Sequence, residues 1–249
     1  MLTKRITSLQ HPLIKHLVCL RKEHAYREEK KRLLIPGKKL IEELASSVSI
    51  ETLLIEEGRP LLESVQAHVR WLVPAQILKK VTGLQEPDPY AAECCFPSFS
   101  DLSSSRYLLI LDRISDPGNL GTILRSALAL SWDGVFFTPH TADPFNEKAL
   151  RAAKGATFHL PLARGSWEEL DRLVQNNPRT LYLADLKGVS IDQMTFSAPL
   201  GMILSNEAKG CSEEAKSRST AVSIPMCGKM ESLNVASAAA ICLYTIRAL

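Results

Sequence analysis

A chain of 249 residues, 45 % apolar and 23 % charged, is long enough for one large core or two modest ones, and this composition excludes disorder and fibrous repeats. The net charge is +3, yet residues 1–39 carry 11 Lys or Arg against 3 Glu, so the basic character is concentrated at the N-terminus and the remainder is acidic. The longest apolar run, Val235 to Ile246, is too short to span a bilayer and the polar N-terminus has no signal-peptide core, so a cytoplasmic protein is expected.

In chain order, the pattern predicts a helix from about Pro12 to Lys31, an apolar extended piece at Leu33 to Ile35 and a helix near Lys38 to Ala45. Strands near Thr52 to Glu56 and Arg70 to Val73 complete a small α/β domain. Its basic residues Lys15, Arg21, Lys22, Arg27, Lys30, Lys31 and Arg32 suit a phosphate backbone, and a solvated helix face explains them equally well. From Gln85 to Ser105, three prolines (Pro87, Pro89, Pro97) and the run Ser103–Ser105 favour an extended connection over a packed element. The expected division is therefore an N-terminal domain over 1–96, a linker over 97–105 and a second domain over 106–249.

The second domain alternates. Strand Tyr107 to Leu111, helix Leu120 to Ser131, strand Val135 to Thr138 and helix Glu147 to Lys154 are followed by strands near Phe158 to Leu162 and Leu181 to Ala184. A buried strand Gly201 to Leu204, a short helix after Cys211, an edge strand Ala221 to Ile224 and a closing helix Leu233 to Ile246 end the chain. Alternation of this kind predicts a parallel sheet with helices on both faces, and ligands in such sheets sit beyond the carboxyl ends of the strands. The six cysteines show no CxxC spacing and the six histidines no HExxH or HxH pattern, so neither a metal site nor a disulfide framework is expected.

Three loops after predicted strands carry polar residues that core packing does not require. In Asp116–Arg125, Asp-Pro-Gly signals a turn and Asn119 suits a helix N-cap. The stripe Leu120, Ile123, Leu124, Ala127 and Leu128 would be buried, leaving Gly121 and Arg125 on the open face, where a guanidinium could bind a phosphate or a ribose hydroxyl. In Ile203–Gly210, Asn206-Glu207 before Gly210 suits a tight turn against which a flat ring could lie, although a plain surface turn accounts for it too. In Ile224–Ala240, Pro225 and Gly228 punctuate an apolar entry, and Ser232 and Asn234 stand where a helix begins, as ligand contacts or simply as caps.

Taken together, these loops resemble the three motifs of the SpoU (TrmH-type) RNA ribose 2'-O-methyltransferases of the SPOUT superfamily. Asn119–Arg125 resembles the first motif, Leu204–Gly210 the second and Ile224–Ala240 the third, in the family's order and spacing. Ala142–Lys148 and Arg151–Pro161 resemble the linking segment, and Ile6–Gln10 through Glu43 resembles the family's small N-terminal RNA-recognition domain. The resemblance implies an α/β fold with a SPOUT-type trefoil-knotted parallel sheet flanked by helices, preceded by a smaller L30e-like domain. It also implies a homodimer that uses S-adenosylmethionine to methylate a ribose 2'-hydroxyl, of ribosomal RNA in preference to transfer RNA; from the composition and spacing above, no metal and no membrane partner are expected. The alternative is an RNA-binding protein that keeps the fold without the activity.

By the family pattern, Asn119, Arg125, Glu207, Ser232 and Asn234 match the catalytic positions. Thr138, Leu204, Ser205, Asn206, Gly210, Ile224, Met226 and Leu233 match the cofactor contacts. Lys15, Arg21, Lys22, Lys30, Lys31, Arg32, Lys148 and Arg151 are the RNA-binding candidates, the last two on a basic helix stripe that a solvated face also explains. Ser205 stands where the family usually has Gly, and Ala208 where many members have a second Gly, each adding a side chain to the loop expected to hold adenosine.

Overall fold

A computed structural model describes residues 2–206, 209–228 and 232–248. The chain divides into two compact units, one comprising Met1–Ser98 with Phe145–Glu147 and the other Phe99–Pro144 with Lys148–Leu249. None of the described helices is long and apolar enough to cross a membrane.

The first unit runs β1 (Leu2–Arg5), α1 (Pro12–Lys22), α2 (His24–Lys30), β2 (Arg32–Pro36), α3 (Lys38–Leu44), β3 (Ile50–Glu56), β4 (Ala67–Val73), α4 (Ala75–Thr82) and β5 (Tyr90–Cys95). The sheet order is β1-β4-β3-β5-β2, with β1, β4 and β3 parallel and β5 antiparallel to both its neighbours. Ile14, Leu17 and Leu20 of α1 pack with Ile77, Leu78 and Val81 of α4 over Leu54, Val73 and Ala91 of the sheet.

Two expectations for this unit are corrected. The single helix Pro12 to Lys31 is two helices, because Glu23 is extended (φ −112°, ψ 112°) and Lys31 is left-handed (φ 52°). Arg27 explains the break: it is 2 % exposed, and its Nη1 donates to the Leu20 and Arg21 carbonyls at 2.8 and 3.1 Å, groups left unpaired where α1 ends. It is a structural cap and is not available to a phosphate. The extended connection expected over 85–105 contains β5, whose Ala91, Ala92 and Cys94 are fully buried between β3 and β2.

The second unit runs β6 (Tyr107–Asp112), α5 (Pro117–Ala129), β7 (Gly134–Phe137), α6 (Glu147–Ala153), α7 (Ala156–His159), β8 (Leu162–Arg164), α8 (Trp167–Asn176) and β9 (Thr180–Ser190). It closes with β10 (Leu200–Ser205), α9 (Glu213–Arg218), β11 (Thr220–Ser223) and α10 (Val235–Ala248). The six strands are parallel in the order β11-β9-β10-β6-β7-β8. Leu108, Ile110, Leu183 and Ile203 turn one face of the sheet toward Trp167 and Leu170 of α8 and Ala215 of α9. Residues of opposite parity, such as Leu109, Leu111, Met202 and Leu204, face the other way, where α10 packs against β10 and α5.

The segment expected as a strand from Phe158 is instead the helical turn α7, entered through Gly155 at φ 95°, and the strand begins only at Leu162. Helix α8, absent from the sequence reading, starts at a full capping box in which Ser166 and Glu169 satisfy each other's backbone N–H groups.

Candidate active site

The carboxyl ends of β6, β9, β10 and β11 lie along one edge of the parallel sheet, where such folds bind ligands. A cleft of about 250 Å³ opens there among Ala184, Asp185 and Leu186 of β9, Leu204 and Ser205 of β10, and Gly210 and Cys211 beyond it. Val222, Ser223, Ile224 and Met226 at the end of β11, with Ser232, Leu233, Val235 and Ala238 at the start of α10, complete the wall.

Asp112 holds the floor of this region. It is fully buried at the end of β6, and its Oδ2 accepts from the Ser205 hydroxyl at 3.0 Å and from the Ser212 backbone N–H at 3.1 Å. One carboxylate thus joins the ends of β6 and β10 to the N-cap of α9, since Ser212 Oγ in turn accepts from Ala215 N–H. The Ser205 hydroxyl, at the position where glycine was the family pattern, is engaged by this carboxylate.

Six of the residues expected to contact a cofactor, Leu204, Ser205, Gly210, Ile224, Met226 and Leu233, line the cleft. Asn206 is buried behind it: its Nδ2 donates to Arg113 O and Ser115 Oγ, both at 2.9 Å, and its Oδ1 accepts from Lys209 N–H at 3.0 Å. Thr138 is buried just beyond β7, where its hydroxyl donates to Leu111 O at 3.2 Å. Both stabilise the loops around the cleft.

Among the expected catalytic residues, Ser232 is on the cleft wall and Asn234 is the junction between two motifs. The Asn234 Oδ1 accepts from Ala236 N–H at 3.0 Å, capping α10, while its Nδ2 donates to Asn119 Oδ1 at 3.2 Å. Asn119 is not the N-cap of α5. That role belongs to Asp116, whose Oδ1 accepts from Asn119 N–H at 2.8 Å and whose Oδ2 accepts from Lys148 Nζ at 2.6 Å. The Lys148 contact, and then the Asn119 backbone, hold the Asp116 carboxyl below its ordinary range. Asn119 is thereby free to present its amide to Asn234. Arg125 is exposed and has no partner among the described residues. Glu207, with Ala208, lies outside the described residues.

The open face expected for Gly121 is also corrected. It is buried against α6, and a methyl group added there would stand 2.2 Å from Ala149 O and 2.7 Å from Ala152 Cβ. Leu128, expected in the buried stripe, is 37 % exposed instead.

Most of the basic candidates are already paired. Arg21 contacts Glu147 at 3.1 Å, Lys30 contacts Glu29 at 2.7 Å, Lys31 contacts Glu28 at 2.9 Å and Lys148 contacts Asp116 at 2.6 Å. Arg32 reaches Glu51 at 3.2 Å, and Arg151 also has a partner. Lys15 and Lys22 are exposed on α1 and have no ion pair among the described residues. The cleft residues that sequence reasoning missed, Ala184, Asp185, Leu186, Cys211, Val222 and Ser223, belong to no recognisable motif. They reach the site because β9 is inserted between β10 and β11, a neighbourhood that chain order does not reveal.

The profile described as the SpoU rRNA Methylase family matches residues 106–244, and that of the MRM3-like substrate binding domain matches residues 11–92. The chain is 31 % identical to the 23S rRNA (guanosine(2553)-2'-O)-methyltransferase RlmP of Bacillus subtilis, over 98 % of this chain and 99 % of that one. The crystal structure of AdoMet-bound rRNA methyltransferase from Sinorhizobium meliloti superposes with a TM-score of 0.89 at 27 % identity, covering 99 % of this chain and 98 % of that one. The SpoU methyltransferase AviRb from Streptomyces viridochromogenes, in complex with AdoMet, gives a TM-score of 0.86 at 25 % identity over 96 % and 98 % of the two chains.

Proposed function

The chain belongs to the SpoU rRNA methylase family, and from that premise we propose that the cleft beside β9, β10 and β11 is where S-adenosylmethionine meets a ribose hydroxyl. The protein is an S-adenosylmethionine-dependent RNA methyltransferase that modifies a ribose 2'-hydroxyl, with ribosomal RNA as the substrate class. This displaces the alternative of a binding protein without activity. The observation that carries the site assignment is the Asn234–Asn119 hydrogen bond, which couples the cleft-lining third motif to the first.

The residues suit the cofactor. Leu204, Val222, Ile224 and Leu233 offer apolar side chains to a flat purine, and Ser205, Ser223 and Ser232 are the hydroxyl-bearing residues of the wall. Met226, Cys227 and Gly228 make no backbone hydrogen bond among the described residues, so their N–H and C=O groups remain available to the polar edge of an adenine. When bound, S-adenosylmethionine supplies an electrophilic methyl group on a sulfonium sulfur.

The chain's own contribution is alignment and charge. Ser232, Asn234 and Asn119 orient the ribose hydroxyl, with Glu207 assisting, and alignment of the reacting atoms supplies a large part of the rate. Arg125 holds the ribose and its neighbouring phosphate and stabilises negative charge developing on the 2'-oxygen. It acts as a fixed cation and not as a base, because a guanidinium does not give up its proton in proteins. Lys15 and Lys22 on α1 offer unpaired charge to an RNA backbone.

The chain is a cytoplasmic homodimer with a trefoil-knotted second unit. Support for the dimer comes from Leu128 on α5 with Ile241 and Tyr244 on α10, which are 37 %, 39 % and 63 % exposed on two helices that pack together. The test of the site is Arg125→Lys, which keeps the charge but not the planar fork. Turnover should fall at least about a hundredfold while RNA affinity stays within about threefold. Undiminished turnover would remove the specific guanidinium role.

A further inference from the structure

Asp185 is the only charged side chain among the described residues lining the cleft, whose other walls are dominated by apolar groups such as Leu186, Leu204, Val222 and Ile224. It is half-buried near the carboxyl end of the ladder between β9 and β10, and its Oδ1 accepts from Lys187 N–H at 2.9 Å, a turn that holds the carboxylate in place. Its charge reaches into the cleft: the thiol of Cys211, another wall residue, is pushed up chiefly by burial and further by the Asp185 carboxylate. The nearby cation Lys216 is occupied by Glu213 Oε1 at 2.7 Å. An anion beside an apolar wall, with the buried Asp112 carboxylate of the same sign behind Ser205, favours cationic over neutral ligands.

We infer that Asp185 is a specificity-determining residue that makes the cleft prefer the sulfonium cofactor to its neutral demethylated product. The inference rests on the cofactor reading of the cleft. S-Adenosylmethionine carries one positive charge more than S-adenosylhomocysteine, and the two share the same adenosine, ribose and amino-acid tail. Every contact to those shared parts binds both ligands alike. Only a group that responds to the sulfonium charge separates them, and by separating them it favours product release after each transfer. A partly screened charge pair of this kind is worth about five- to tenfold in affinity.

The test is calorimetric titration of the full-length protein and its Asp185→Asn and Asp185→Glu variants with S-adenosylmethionine, S-adenosylhomocysteine and sinefungin, which carries a protonated amine at the sulfonium position. Asparagine keeps an acceptor for Lys187 N–H, so the turn is retained. Asp185→Asn should weaken the two cationic ligands about five- to tenfold and change S-adenosylhomocysteine less than about twofold, and Asp185→Glu should restore most of the difference. Equal weakening of all three would show that Asp185 holds a shared part such as the ribose diol, and no change in any would show that it faces none of them. Either outcome overturns the inference while leaving the cofactor site intact. A wild-type protein that binds none of the three would overturn the cofactor reading and the inference with it.

Discussion

Gly121 sits where α5 crosses α6, and replacing it with alanine should separate the two helices. The added methyl carbon would lie 2.2 Å from Ala149 O and 2.9 Å from Ala153 N, where an ordinary contact needs at least 3.4 Å. The shortfall at Ala149 O is more than 1 Å, and the atoms met are backbone or the Ala152 Cβ, so no side-chain rotation relieves it. Overpacking of this kind costs about 1–3 kcal/mol, here near the upper end, against about 1 kcal/mol gained by alanine over glycine in a helix. A net loss of about 2 kcal/mol in a unit of this size lowers its melting temperature by about 4–8 °C. Differential scanning calorimetry is the appropriate assay, with the wild-type protein measured alongside as the reference. Gly118→Ala is the control. Its methyl would meet Asp116 Oδ1 and Lys148 Cε, both at 2.9 Å, and these side-chain atoms can move, so its shift should be less than half as large. A Gly121→Ala protein that melts with the wild type would refute the close approach of α5 to α6 at this glycine.

Asn234→Ala removes both the cap of α10 and the bond to Asn119; it should cost about 1 kcal/mol in urea unfolding and lower kcat more than it weakens S-adenosylmethionine binding. In the N-terminal unit, burial alone would raise the Glu93 carboxyl, but the hydrogen bond from His16, then Thr52 and Arg32, outweighs it and leaves the pKa below the ordinary 4.5. A depressed carboxylate contributes stability that is complete above 4.5 and lost as pH falls through the lower folded value, so Glu93→Gln should flatten the acid limb of urea midpoints measured from about pH 6 to about pH 3. Tyr244→Glu combined with Leu128→Glu places charge on the exposed apolar surface of α10 and α5, and sedimentation should show a dimer becoming a monomer. A wild-type monomer would contradict the dimer reading.

The order of strands and helices in the second unit was largely legible, because buried runs such as Leu108–Leu111 and Met202–Leu204 are bounded by turn residues. The failures have physical causes. Strand β5 is Tyr-Ala-Ala-Glu-Cys-Cys, with no β-branched residue and two prolines just before it, so only its place between β3 and β2 makes it a strand. Helix α8 announced itself through Ser166 and Glu169, a signal available in the sequence. Gly121 was misread because a glycine on a helix looks alike whether it borders solvent or another helix. At the site, the second and third motifs supplied Ser205, Ile224, Ser232 and Asn234, whereas Asp112 and Asp185 gain their roles only through strands brought together by the sheet. Arg27 looked like one more surface cation until α1 ended beneath it.

The central claim is methyl transfer to a ribose 2'-hydroxyl of ribosomal RNA, and the direct test is to map 2'-O-methyl positions in total RNA from cells with and without this protein. At least one ribosomal RNA position should lose its methyl group in the protein's absence and regain it with the wild-type chain but not with Arg125→Lys. Identical methylation maps in the two samples would contradict it.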